Sequence, residues 1–300
     1  MRMLSSKKET EVADAKMPEP KMQQLWRARF GDTVHPPPES VLDTVPNPET
    51  VRLLMQHRTH RAYTTEAISP ETLDTVLACA SSAPSKSDLQ QVSIVVVDDP
   101  DLRHSIATLI PTMPWIASAS AFLIFLADGN RIESICAQRG KAFANDNLDN
   151  FLAAVSDASL ALQNAIIGAE ALGLGCCPIS VIRDHITDIA QLLRLPRRVV
   201  PLAGLCLGYP AREGHVSMRL PPDICIHKNA YSTHQLESAI DTYDQHRNAR
   251  HRTPDAGQKY VKDYGVAEFY GWSEDKARQM SRAERTGVGK FARDSGFSLS

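Results

Sequence analysis

No apolar run in this sequence approaches the roughly 20 residues that a membrane-spanning helix needs. The N-terminus, MRMLSSKKETEVADAK, has no apolar core for a secretory signal and too many acids for a transit peptide. Basic residues are not in excess: 33 Lys and Arg face 35 Asp and Glu, for a net charge of -2, which argues against general nucleic-acid binding. Six cysteines (Cys79, Cys136, Cys176, Cys177, Cys206 and Cys225) show no CxxC and no metal-like spacing. The adjacent pair cannot easily close a disulfide. Cys206 and Cys225 lie in apolar, strand-like text, where a thiol acts as a small hydrophobe. A P-loop, an HExxH helix and a nucleophile elbow are all missing, and Gly173-Leu174-Gly175 lacks the GxGxxG spacing of a Rossmann turn. These absences describe a reduced, cytoplasmic, soluble protein with no membrane, nucleic-acid or metal partner. If the chain is an enzyme, a bound organic cofactor carries the hard chemistry and no side chain is the catalytic group.

What remains is an ordinary globular composition, 43% hydrophobic and 23% charged, in a chain long enough to bury a substantial core. Residues 1–22 are polar and read as a disordered tail. A short amphipathic piece, MQQLWRARFG, and a proline-rich connector, HPPPESVLDTVPNPE, come next. This assigns residues 1–47 to tail and linker and 48–300 to one folded domain. ETVRLLMQH reads as a short helix. In SPETLDTVLACASSAP, Ser69 is a good N-cap, Pro70 fits the first helical position and Pro84 stops the helix. VSIVVVDDP (92–100) and SAFLIFLADG (120–129) read as buried strands. Apolar residues recur at helical spacing between 145 and 172, as a core helix does. GLGCCPISVI turns into a strand, VVPLAGLCLGYP is another, and the text after about residue 235 is polar with helical stretches such as WSEDKARQMSRAERTGVGKFAR. Helices and strands do not alternate strictly, so the fold class is α+β, or α/β without a doubly wound sheet.

One stretch stands out: His57-Arg58-Thr59-His60-Arg61-Ala62-Tyr63 holds two arginines and two histidines and no carboxylate. Cations at a helix C-terminus gain about a few tenths of a kcal/mol from the helix dipole, which is one reading. The other is a dianion site, where guanidinium, imidazole and hydroxyl converge on phosphate oxygens. Residues 57, 59 and 61 would share one side of an extended segment. The loop Ser85-Lys86-Ser87-Asp88-Leu89-Gln90-Gln91 opens onto a strand and is either plain connection or a set of amides and hydroxyls for a heteroaromatic edge.

In their order and spacing these segments resemble the flavin-dependent nitroreductases, in the branch of NADPH-type oxygen-insensitive nitroreductases and flavin reductases. The resemblance rests on HRTHRAY, then SKSDLQ, the AxxxQNAxxxAExLGLG helix, the strand GLCLGYP, and RLP followed by HKNAY, and covers about residues 48–300. It implies an α+β fold with a central, mostly antiparallel sheet wrapped by helices, in an intertwined homodimer with FMN at the interface. It assigns His57, Thr59 and Arg61 to the FMN phosphate and ribityl chain, and Arg219 to the phosphate. Ser85, Ser87 and Gln90 fall beside the flavin ring, Ile179 and Ser180 near its O4 and N5 edge, and Arg285 at the active-site mouth. Three positions depart from the family pattern: Ser217 stands for a frequent lysine, Ser180-Val181 for Gly-Gly, and Met113 for a glutamine.

The function implied is ping-pong hydride transfer from NADPH or NADH, through FMN, to nitroaromatics, quinones or free flavins. Arg252, Lys259 or Arg285 are the cations expected to meet a 2′-phosphate. Two other classes compete: a different FMN enzyme on the same fold, such as a dehalogenase or enoate-type reductase, and a flavin-binding protein without turnover.

Overall fold

The computed structural model describes residues 21–300 apart from Thr33, Pro37 and Glu39, so residues 1–20 of the expected tail lie outside the described residues. Four strands form the centre: β1 (Val92–Val96), β2 (Ala121–Asp128), β3 (Gly175–Ile179) and β4 (Val199–Gly208), in the order β1-β2-β4-β3, with every pair antiparallel. All eight residues of β2 are buried, because its continuous apolar run needs cover on both faces. The expectation of a buried strand at 92–100 is corrected: β1 is an edge strand, only half-buried, with Val96 exposed. It lacks a second neighbour to cover its outer side.

Around the sheet run α1 (Met22–Phe30), α2 (Ser40–Asp43), α3 (Pro48–Gln56), α4 (Pro70–Ser81), α5 (Pro100–Leu109), α6 (Trp115–Ser118), α7 (Asn130–Gln138) and α8 (Leu148–Ala171). They are followed by α9 (Ile186–Leu192), α10 (Pro222–Cys225), α11 (Leu236–Arg250), α12 (Val261–Tyr264), α13 (Trp272–Met280) and α14 (Val288–Asp294). Local chemistry sets several of these ends. Ser69 accepts a hydrogen bond from Thr72 N, with Pro70 at the first helical position of α4. Asn147 caps α8 by accepting from Asn150 N at 3.0 Å. The basic, polar text read as one helical stretch after Trp272 breaks into α13 and α14, and Arg285 in the break has φ 54°.

One sheet face is covered by α8 and α4. Ala161, Ala165 and Ala169 meet Val76, Ala80, Leu123, Phe125, Leu205 and Leu207. The small side chains let the helices approach closely: a Cβ on Gly168 would stand 2.8 Å from that of Cys79. The opposite face holds Phe122, Ile124, Ile106, Ile110, Ile179, Ile182 and Ile189. Cys225, expected in a strand beside Cys206, lies exposed in the short helix α10.

Two sequence expectations change here. Residues 22–30 are not connector: α1 packs on α3 and buries Met22, Leu25 and Arg29. Packing therefore starts well before residue 48. The helix α8 is long and apolar enough, by length and composition, to cross a membrane, with a mean hydropathy of 1.3. It is nonetheless packed on the sheet through its alanine face and buries Asn150 and Asp157, which suits a core helix. Its other face leaves Leu148, Leu152 and Leu160 exposed.

Candidate functional site

α3 ends at Gln56, and the basic stretch leaves it as an extended arm along the β3 edge. Thr59 forms a parallel bridge with Cys176, and His60 N donates to Cys176 O at 2.8 Å. Glycine makes this approach possible, since a Cβ on Gly175 would stand 2.8 Å from the His60 ring. At the arm's far end Tyr63 bridges to Pro210 and donates from its hydroxyl to His60 O at 2.7 Å.

Along the arm the side chains part ways. His57 Nδ1 lies 2.6 Å from Glu170 Oε1 at the C-terminal end of α8. Arg58 is neutralised by Glu213 at 2.8 Å and also donates to Gly214 O. Burial, then the Arg58 charge, push the His60 imidazole below its ordinary value, and its Nδ1 is buried without a partner. Arg61 is exposed, with its guanidinium 5.6 Å from the centre of the Trp115 ring. Arg219 is exposed too, and its Nη1 reaches only the carbonyls of Ser217 and Met218. Neither Arg61 nor Arg219 has a carboxylate partner among the described residues.

The 85–91 loop is built on a different anchor. Asp157, buried on α8, accepts from Ser85 Oγ at 2.6 Å, Lys86 N at 3.0 Å and Gln91 N at 2.9 Å. Ser85 Oγ in turn accepts from Gln90 N at 2.6 Å. Ser87, Asp88 and Gln90 all have positive φ, between 51° and 56°. Such left-handed residues cost of order 1 kcal/mol or more each and persist where the surroundings force them. The carboxylate of Asp157 supplies that force. Ser85 is thus turned inward, and the Gln90 amide is turned to Asp88 Oδ1 at 3.0 Å.

The remaining expected positions fall elsewhere. The Ile179 side chain is in the core, and half-buried Ser180 begins the turn 181–185. Met113 packs against the same core. Arg285 pairs with Asp184 at 2.8 Å in a cleft of about 1340 Å³ between that turn, α9 and α14. This large cleft includes no residue of the arm, the 85–91 loop or the Arg219 loop. Lys259 is held by Asp275 and Gln279, which leaves Arg252 exposed and without an ion-pair partner among the described residues.

Within one chain, then, the structure joins Thr59 and His60 to β3 and His57 to α8, and brings the arm's start to the Arg219 loop through Arg29, described below. No hydrogen bond links these to the 85–91 loop among the described residues. Sequence reasoning missed Arg29, Glu170, Asp157 and Trp115. A signal existed for two of them: Asn150 and Asp157 are polar residues seven apart on the alanine face of α8, and Arg29 continues the Met22–Leu25 face of α1.

Chemically, Arg61 on the arm and Arg219 on its loop are guanidiniums without a carboxylate partner among the described residues, and His60 Nδ1 is a buried polar atom without a partner. Side chains of this chemistry fit the phosphate of FMN. The buried thiols are unsuited to nucleophilic work, since burial pushes Cys176, Cys177 and Cys206 upward.

Comparison with known proteins gives the family of the chain. The model of the "Nitroreductase family" matches residues 54–209 and that of the "Nitroreductase family, C-terminal domain" matches 217–300. An FMN reductase (NADPH) of Bacillus subtilis is 29% identical over 252 residues, covering 83% of this chain and 98% of that protein. An oxygen-insensitive NADPH nitroreductase of Salmonella typhimurium is 37% identical over 198 residues, covering 65% and 80%. The solved structure of B. megaterium NfrA2 superposes with a TM-score of 0.75 at 32% identity, over 84% of this chain and 99% of that one. With both family models matched in chain order across the arm, the loop, the sheet and the C-terminal helices, the chain belongs to the nitroreductase family.

Proposed function

We propose that the protein is a homodimeric, cytoplasmic, FMN-dependent NAD(P)H oxidoreductase that reduces nitroaromatics, quinones or free flavins. The observation that carries this reading is the arm on the β3 edge together with the Arg219 loop: neither Arg61 nor Arg219 has a carboxylate partner among the described residues. Bound FMN supplies hydride acceptance from NAD(P)H and delivery to the second substrate.

The chain's own residues bind and orient. Arg61 and Arg219 meet the phosphate, His57 is held in place by Glu170, and Thr59 is fixed by its bridge to Cys176. The 85–91 loop, set by Asp157, presents its backbone and the Ser87 hydroxyl to a ring edge, while Ile179 and Ser180 contribute main chain at the turn after β3. No hydrogen bond joins the loop to the arm within one chain among the described residues, and a second copy completes the ring site in this reading. The exposed leucines of α8, with Val51 and Leu54 of α3, form the surface on which that copy packs. Nicotinamide donor and acceptor take turns at one open face, which gives a ping-pong pattern. Six free cysteines suit a reducing compartment.

The purified protein is expected to be yellow, to bleach with NADPH under anaerobic conditions, and to regain colour with a nitroaromatic, quinone or flavin. Parallel initial-rate lines would support the ping-pong order. A preparation that stays colourless after soaking in FMN overturns the reading.

A further inference from the structure

Helix α1 lies before residue 54, where the matched family region begins, yet it reaches into the arm's base. Arg29 on its last turn is 5% exposed. Its Nη1 donates to Ser217 O at 2.9 Å, and its Nη2 donates to Met55 O at 2.8 Å and His57 O at 2.7 Å. Its own carbonyl accepts from Arg219 N at 2.7 Å. One residue therefore ties the start of the arm to the loop that carries Arg219. From the outer side, Arg250 of α11 fastens α1 by donating to Arg27 O at 2.8 Å and pairing with Asp32 at 3.1 Å.

The surroundings of Arg29 are electrically lopsided. No carboxylate pairs with it or with Arg219 among the described residues, and Glu170, whose charge reaches it, is already engaged by His57. Burial first, then the charge of Arg219, draw the Arg29 guanidinium down to about 10, which still leaves it protonated at neutral pH. A buried cation flanked by Arg219 and Arg58 without a direct counter-ion is unfavourable unless an anion joins it.

We propose that Arg29 is a positioning residue for the phosphate of FMN: the N-terminal helix locks the His57 segment and the Arg219 loop into one anion cradle. The inference rests on the FMN reading above. A guanidinium suits the task because its planar fork holds two separate donor nitrogens at a fixed spacing, one for each segment, whereas an ammonium offers its donors from a single freely rotating nitrogen.

The test compares two flavins that differ only in the phosphate. The full-length chain, freed of bound flavin, is titrated with FMN and with riboflavin by flavin fluorescence, as wild type, Arg29→Met and Arg29→Lys. Arg29→Met is expected to weaken FMN by roughly 10–100-fold, the equivalent of one charged hydrogen bond, and to leave riboflavin within about twofold. Arg29→Lys should fall between. If both flavins weaken together, the residue only supports the fold, and if FMN binding is unchanged, it does not shape the cradle. Either result overturns the proposal. Should Arg29→Met fail to melt cooperatively, the FMN-to-riboflavin ratio of Arg29→Lys decides in the same way. A wild-type protein with no preference for FMN over riboflavin removes the reading beneath, independently of Arg29.

Discussion

Replacing Asp157 by Asn exchanges a carboxylate oxygen for an amide nitrogen where both oxygens accept hydrogen bonds. Oδ2 receives Ser85 Oγ and Gln91 N, and Oδ1 receives Lys86 N. An amide oriented one way sets its NH2 against Lys86 N–H, and flipped it sets it against Gln91 N–H. In both orientations a backbone donor loses its acceptor, and the surviving bonds lose charge assistance. A hydrogen bond to a charged group contributes about 1.5–3 kcal/mol, and an unpaired buried donor costs about 1–3 kcal/mol. One lost bond therefore predicts a destabilisation of about 2–3 kcal/mol. For a chain of this size, at about 2.1 cal/mol/K of unfolding entropy per residue, that corresponds to a melting temperature lower by roughly 3–5 °C.

The loss is localised. Ser87, Asp88 and Gln90 hold positive φ only because the two loop ends are fixed, so with one end loose they relax towards ordinary backbone. Thermal unfolding reads the stability, and amide hydrogen exchange at Lys86 and Gln91 reads the loop. Unchanged melting together with unchanged protection of both amides would falsify the claim that Asp157 builds this loop.

Three further outcomes are expected. Arg61→Ala removes a phosphate contact and should weaken FMN by roughly 10–100-fold; retention at wild-type tightness reassigns that arginine. Leu152→Glu with Leu160→Glu places two charges on the leucine face of α8, and sedimentation should show a monomer, whereas an intact dimer moves the interface elsewhere. For pH, burial acts to raise the Asp146 carboxyl, but the hydrogen bond from Arg198 and the Ser298 N–H outweigh it and hold the group below the ordinary aspartate value. A depressed acid contributes stability above its unfolded value and loses it as pH falls through the folded one. The Ser298 amide should therefore keep its protection as pH falls through the ordinary aspartate value, near about pH 4, and lose it only at lower pH, after correction for intrinsic exchange; protection already lost at or above about pH 4 argues against the coupling.

The sequence made the helices and central strands legible where period, cap and stop agreed, as at Ser69–Pro70 and in the all-apolar β2. It misjudged β1, since a β-branched run looks the same on an edge as in the middle of a sheet. It also misjudged α1. The helical spacing of MQQLWRARFG sets Arg29 on the Met22–Leu25 face and Arg27 off it, but that a cation on this face is buried depends on carbonyls from residues 55, 57 and 217. The basic arm was visible as charge without counter-charge. Its pairing was not, because Glu170 and Glu213 lie more than a hundred positions away.

The polar residues of α8 explain how distant segments of the site keep a fixed separation. Asp157 holds the 85–91 loop and Glu170 holds His57, thirteen residues further on, or about 20 Å along the axis. Asn150, two turns before Asp157, accepts from Arg198 and donates to Gln91 Oε1, so the loop's last residue and the entry to β4 share the same helix, and Arg198 itself donates to Gly296 O of the C-terminal segment. A helix packed on a sheet by alanines does not slide, because its close approach at Gly168 and Cys79 leaves no room. The leucine face of that same helix is the one on which the proposed second copy would pack. Two such helices packed together would set the arm of one chain and the loop of the other at one distance, without either segment needing rigidity of its own.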